Sequence, residues 1–203
     1  GQLLKADLLQ VLRNPTVWLI SGVLLCSYCG YKALDNYGLY TIEALGMDQL
    51  QASAFVANAT YIRIVTPVTA GLIADRFSAS KTTGIIFTLL IISYLVLATG
   101  SSLSTISTYG NLIVTFVCIY GLRALYFPLL KESKTPMHVS GATIGTVSFL
   151  GYSPDFFFGP ITGRILDHWP GLQGHMYCFA LLAATMIIGV MLIAAFRRHT
   201  CDS

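Results

Sequence analysis

Five ionisable residues stand inside long apolar runs of this sequence: Lys32, Asp35, Arg63, Arg123 and Asp155. A charge at the centre of a membrane helix costs about 2.5–3.5 kcal/mol on the insertion scale, so each must face protein or a water-filled cavity. Tyr28, Lys32 and Asp35 follow at steps of four and three, which places them on one helical face. Thr60 and Thr66 lie about one turn from Arg63, and Tyr120 and Tyr126 lie about one turn from Arg123. A guanidinium flanked by hydroxyls is a forked cradle for an anion. Two acids against three bases leave one positive charge over, which an anionic group on a solute would balance. The alternative is mutual neutralisation, Lys32 with Asp35 and an arginine with Asp155. The substrate-binding candidates are therefore Arg63, Arg123, Lys32, Tyr28 and Tyr120, and Asp35 and Asp155 are candidates for coupling or gating. Asp155 precedes Gly159-Pro160 by one turn, beside a possible bend, so two roles stay open for it: a proton site that responds to helix movement, or a fixed ion pair.

The elements that carry these residues must be membrane helices. Of 203 residues, 55 % are hydrophobic and 10 % charged, with a mean hydropathy of +0.69, against roughly 25 % charged in soluble domains. A water-soluble globule is excluded. Six helical spans of about 20 residues fit the length. The net charge of +3 is small and its Lys and Arg are dispersed, which excludes a nucleic-acid footprint. Cys26, Cys29, Cys118 and Cys178 fall in apolar runs and read as packing residues. His138, His168, His175 and His199 sit in loops or at span ends. Nothing assembles a nucleophile with a base, or a metal cluster, at membrane depth, so neither an enzyme, a metal site nor a cofactor is expected.

Hydropathy places spans at about 17–44, 52–74, 82–98, 111–130, 140–166 and 176–196, an all-α bundle over 16–197. Residues 1–15 read as a cytoplasmic interfacial lead-in and 198–203 as a cytoplasmic tail. Spans one, two, four and five carry the buried charges and should line a polar interior, while three and six carry none and should face lipid as supports. Lys5, Arg13, Arg76, Lys81, Lys131, Lys134, Arg197 and Arg198 fall on the side of the termini, against Arg164 alone on the other. Both termini are therefore expected to be cytoplasmic.

Pro67-Val68-Thr69-Ala70-Gly71-Leu72-Ile73-Ala74-Asp75-Arg76 at the end of span two echoes Pro160-Ile161-Thr162-Gly163-Arg164-Ile165-Leu166-Asp167-His168 at the end of span five, with one residue deleted. Each is the middle span of a triplet, and the triplets enter the membrane from opposite sides. That is the pattern of an inverted repeat, a device of secondary transporters.

Gly71-Leu72-Ile73-Ala74-Asp75-Arg76, with Lys81 five residues on, resembles the loop signature of the major facilitator superfamily, and departs from it at Ser78, Ala79 and Ser80, where the family has a second glycine and further basic residues. Leu12-Arg13-Asn14-Pro15 before Val17-Trp18 resembles the entry of that family's central loop into its seventh helix. The resemblance covers essentially the whole chain and is to the carboxy-terminal six helices of a twelve-helix transporter. Tyr120-Gly121-Leu122-Arg123 and the run from Lys131 to Asp167 are most similar to bacterial inner-membrane permeases of the organic-anion and sugar-phosphate type. The resemblance implies a half-transporter that moves a small anionic organic solute by alternating access, with proton or exchange coupling, Asp75 and Arg76 in a gating loop, and three partners: the bilayer, the solute and an amino-terminal six-helix half. The other expectation is a truncated or split membrane subunit that does not transport without its partner half, since the sequence begins at Gly1 without methionine.

The basic asymmetry generates a topological test. Cysteines introduced at Ser80 and Ser133 should react only with reagent that reaches the cytoplasmic face, and one at Ser102 only from outside. Opposite labelling at all three overturns the orientation.

Overall fold

The computed structural model describes residues 9–100, 104–133 and 140–201, and every regular element among them is helical. After a helical turn at 9–13, Asn14 opens α1 (Pro15–Ala33) by accepting the Thr16 N–H at 3.0 Å, with Pro15 in the first turn, where its missing N–H costs nothing. A 3₁₀ turn over Leu34–Asn36 leads into α2 (Tyr37–Leu45), which stops at left-handed Gly46. A capping box of Asp48 and Gln51 starts α3 (Gln49–Thr60). There follow α4 (Ile62–Phe77), α5 (Ala79–Ala98), α6 (Thr105–Ala124), α7 (Tyr126–Glu132), α8 (Ser140–Gly151), α9 (Pro154–His168) and α10 (Leu172–Cys201). The fourth span expected at 111–130 thus begins at Thr105, because Ser104 Oγ accepts the Ser107 N–H and extends the helix through a polar turn. Residues 1–8 of the expected lead-in, Ser102, Lys134, His138 and residues 202–203 of the tail lie outside the described residues.

Among the described residues, five stretches are long and apolar enough to cross a bilayer: Pro15–Leu45, Gln49–Phe77, Ala79–Ala98, Thr105–Ala124 and Leu172–Thr200. The chain is a helical membrane protein in contact with lipid. The run expected as a fifth span, 140–166, is instead a pair of helices, α8 and α9, parted at Tyr152 and Ser153, and neither reaches membrane length alone.

The helices divide by continuity as well as by charge. Besides the α8/α9 break, the first stretch is interrupted at Leu34–Asn36, the second at Tyr61, and the fourth runs through Leu125 into α7, whereas α5 and α10 are unbroken. At these points the backbone tightens to three-residue bonds, Tyr61 N–H to Asn58 O at 3.1 Å and Leu125 N–H to Leu122 O at 3.1 Å. Prolines account for two of the breaks. Pro128 has no N–H for the Ala124 carbonyl and Pro154 has none for that of Leu150, which instead accepts the Ser153 N–H at 3.3 Å and the Ser153 hydroxyl at 2.7 Å. At the first break Asp35 and Asn36 offer side chains that compete with helical bonding. Each intramembrane charge sits within two residues of a break.

The core is built on the unbroken pair. α10 packs along α5 and α1, and α1 along α8. Phe87, Leu90 and Tyr94 of α5 are sealed with Leu182 and Met186 of α10 and with Phe116 and Ile119 of α6. Gly22 and Gly189 allow the close approach: a Cβ on Gly189 would lie 2.8 Å from the buried Phe87 ring, and one on Gly22 2.7 Å from Leu192. The four cysteines of the apolar runs are free and buried.

Polar links fasten the ends. Thr16 Oγ1 and His199 Nδ1, 3.5 Å apart, join the start of α1 to the end of α10. The Ser80 N–H and hydroxyl donate to Glu132 at 2.9 and 2.6 Å, joining α5 to α7. Ser80 is therefore buried, and of the two reporters expected on the cytoplasmic side Ser133 is the informative one. Ser78, where the resembled signature has glycine, adopts φ 82° and ψ 143°. A side chain in that region costs about 1–3 kcal/mol.

Ser78→Gly should therefore raise the thermal midpoint in detergent, by the equivalent of about 1 kcal/mol once the entropy of the freer unfolded chain is subtracted. An unchanged or lower midpoint would show that the loop does not hold this backbone.

Candidate functional site

The breaks gather the charges onto one side of the bundle. Lys32 Nζ lies 2.6 Å from Asp35 Oδ2 and 3.6 Å from Asp155 Oδ1, so one lysine holds both acids. The Tyr28 hydroxyl donates to Asp155 Oδ2 at 2.9 Å. This corrects the expectation that Asp155 neutralises an arginine: its partner is Lys32, because α9 packs against α1. The pairing of Lys32 with Asp35 is present. The cluster is open, with the Lys32 side chain 23 % exposed and that of Asp155 47 %.

Neither arginine has a carboxylate partner within 4.0 Å among the described residues. The Arg123 guanidinium stands over the Tyr31 ring at 4.1 Å and 5.9 Å from the Tyr28 ring centre, a placement worth about 0.5–1 kcal/mol at an exposed site. Arg63 lines a cavity of about 460 Å³ between α1, α2, α3, α4 and α6, with Tyr31, Asp35, Ser53, Thr60 and Tyr120 on its walls. Tyr31 and Tyr120 meet edge to face at 6.4 Å. Tyr28 and Tyr152 do so at 4.9 Å, carrying the aromatic wall on to the α8/α9 break.

Of the hydroxyls expected to flank the arginines, Thr60 and Tyr120 line the cavity. The other two are used for packing. Thr66 is buried close to Gly121, and the Tyr126 hydroxyl lies 3.3 Å from the Ile144 carbonyl and 3.1 Å from Ser148 Oγ. Asp75 and Arg76 stand apart from the cluster, exposed in the last turn of α4 and about 20 Å along the chain axis from Arg63. Arg76 there lies 5.9 Å from the Phe77 ring centre.

Four residues escaped the sequence reading. Tyr31 is the ring on which the site turns, at the edge of the face that carries Tyr28, Lys32 and Asp35. Its position three residues after Tyr28 and four before Asp35 was the available signal. Tyr152 is visible only once the α8/α9 break is known. Glu43, near the end of the first expected span, and His175, read as a loop or end residue, form a pair 3.0 Å apart, with the imidazole buried and its ring 5.3 Å from that of Tyr40. They close the end of the bundle opposite Thr16 and His199.

A polar, aromatic cleft on one side of an apolar helical bundle suggests a membrane protein of transporter-like character, and its relatives are two proteins named for the inner membrane and one named as a probable transporter. The chain is 29 % identical over 208 residues to the inner membrane protein YqcE of Escherichia coli, covering 98 % of this chain and 48 % of the relative. It is 25 % identical over 200 residues to the inner membrane protein YihN of the same organism, covering 93 % and 47 %. A protein of Staphylococcus haemolyticus named "Probable nitrate transporter NarT" is 28 % identical over 158 residues, covering 78 % and 36 %. The chain thus spans about half the length, or less, of the curated relatives it matches. No family model and no solved structure matches it significantly.

Proposed function

We propose that the chain is the carboxy-terminal six-helix half of a secondary transporter of the major facilitator type, set in a bacterial inner membrane with both termini cytoplasmic. It moves a small anionic organic solute by alternating access, with coupling to protons or to a counter-solute. One observation carries the reading: Lys32 takes both intramembrane acids, so the positive charge left over resides on Arg63 and Arg123, on the cleft side. An anion there would meet two forked donors and aromatic walls. The names of the relatives support the membrane and the transport, and NarT is named for an anion.

The broken helices support the two-triplet organisation. α4 and α9 each follow a break, each contains an internal proline, Pro67 and Pro160, and together they carry the internal echo. Interrupted helices at corresponding positions of two repeats are where transporters place their sites. Under this reading α8 and α9 cross the bilayer together as the fifth helix. The cleft is one wall of a central cavity, and the amino-terminal half forms the other.

In the protein that joins both halves, Arg63→Lys and Arg123→Lys keep the charge and lose the fork. Each should weaken apparent affinity for the transported organic anion by about tenfold or more, as expected for one charge-assisted hydrogen bond of about 1.5–3 kcal/mol. Normal transport by both variants overturns the anion cradle.

Asp155 sits between Lys32 and Tyr28 and beside a break, where helix movement would change its distance from the lysine. Asp155→Asn should abolish uphill uptake and preserve solute exchange if the carboxylate couples transport to protons. If exchange and protein yield fall together, it is a fixed pair of the Lys32 cluster and the coupling role is withdrawn.

A further inference from the structure

The unbroken helices carry a second site. A groove of about 490 Å³ runs between α5 and α10 on the opposite side of the helical division from the charged cleft. That volume lies within the roughly 300–1,000 Å³ of small-molecule sites. Its walls are apolar, formed by Gly84, Ile85 and Leu89 of α5 facing Ile193 of α10 and its neighbours, and its one charged end holds Lys81 and Arg197. The start of α5 and the end of α10 meet at the same end of the bundle, so both cations stand at the mouth. From Lys81 to Leu89 the groove descends about 12 Å along the helix.

Both cations are exposed, and neither pairs with a carboxylate among the described residues. Glu132, on the adjoining α7, is engaged instead by the Ser80 N–H and hydroxyl. A slot that is apolar along its length and doubly positive at its interfacial end matches an amphiphile with an anionic head. Ile85 and Leu89 are themselves well exposed, so the slot opens laterally, towards the hydrocarbon, and not into the cleft.

We propose that this groove binds an anionic phospholipid, with one acyl chain along Gly84, Ile85 and Leu89 and the head-group phosphate between Lys81 and Arg197. Basic pockets between membrane helices on the cytoplasmic side recognise lipid phosphates in this way. The site is independent of the transport reading: it needs the two helices and a bilayer, and no solute.

The test is native mass spectrometry of the full chain, purified in mild detergent and titrated with phosphatidylglycerol or phosphatidylcholine. Phosphatidylglycerol should bind at least tenfold more tightly, and the Lys81→Gln/Arg197→Gln pair should remove that preference. Gly84→Leu fills the slot while keeping both cations, and should also lose the lipid. Neutralising Arg13 and Lys131, exposed cations outside the groove, should leave binding unchanged, as should 10 mM inorganic phosphate. Equal binding of the two lipids overturns the proposal, as does retention of phosphatidylglycerol by both groove variants. Equal losses in the Arg13/Lys131 control reduce it to a general positive surface, and displacement by phosphate reduces it to a phosphate site without a lipid.

Discussion

A charge held in hydrocarbon must be matched or hydrated, and the architecture of this chain follows from meeting that demand five times in four helices. The solution couples charge to broken backbone. Lys32 precedes a 3₁₀ turn that contains Asp35, Arg63 follows the Tyr61 turn, Arg123 precedes Leu125, and Asp155 follows Ser153. Freed carbonyls and charged side chains are tolerable in the same places, where protein or a water-filled space replaces lipid. The remaining two helices, α5 and α10, carry no charge in their apolar portions and keep complete hydrogen-bond ladders. They supply the rigid frame against which the broken helices are held.

Within the cluster, short-range pairing decides which charges stay available. Lys32 is three residues from Asp35 on its own helix and opposite Asp155 on α9, so it captures both carboxylates. The arginines are left to aromatic and hydroxyl neighbours, which orient a guanidinium without neutralising it. The site is therefore polarised, with one acid in excess around Lys32 and two positive charges on Arg63 and Arg123.

Much of this is legible in the sequence because hydropathy and intramembrane charge are strong signals. The helical class follows from the apolar runs, and the Lys32–Asp35 contact follows from a three-residue spacing. The partner of Asp155 is not legible, since it depends on which face of α9 meets α1, and α9 is reoriented by the break at Tyr152 and Ser153. Tyr31 is hidden for a similar reason. Helical periodicity alone ranks Tyr28 above it, and only the approach of α6 brings Arg123 over its ring. Span ends are the weakest part of a hydropathy reading, and there the Glu43–His175 and Ser80–Glu132 links were missed. At Ser78 the residue type misleads outright, since serine occupies a backbone region that glycine enters freely.

Burial is unevenly shared along the chain. The first stretch is the most enclosed of the five membrane-length stretches, and the second, α3 with α4, is the least, with Tyr61, Ile64, Val65, Val68 and Leu72 all facing outward. The side chains that this stretch buries against the bundle are small, Ala52, Ala59, Thr66, Ala70 and Ala74, so its local opening free energy is low compared with the α1, α5 and α10 core. During assembly the core can form first and α3–α4 settle onto it last. The helix that brings Arg63 to the cleft is thus also the one whose detachment disturbs least of the remaining structure, and thermal fluctuations will be concentrated in that wall.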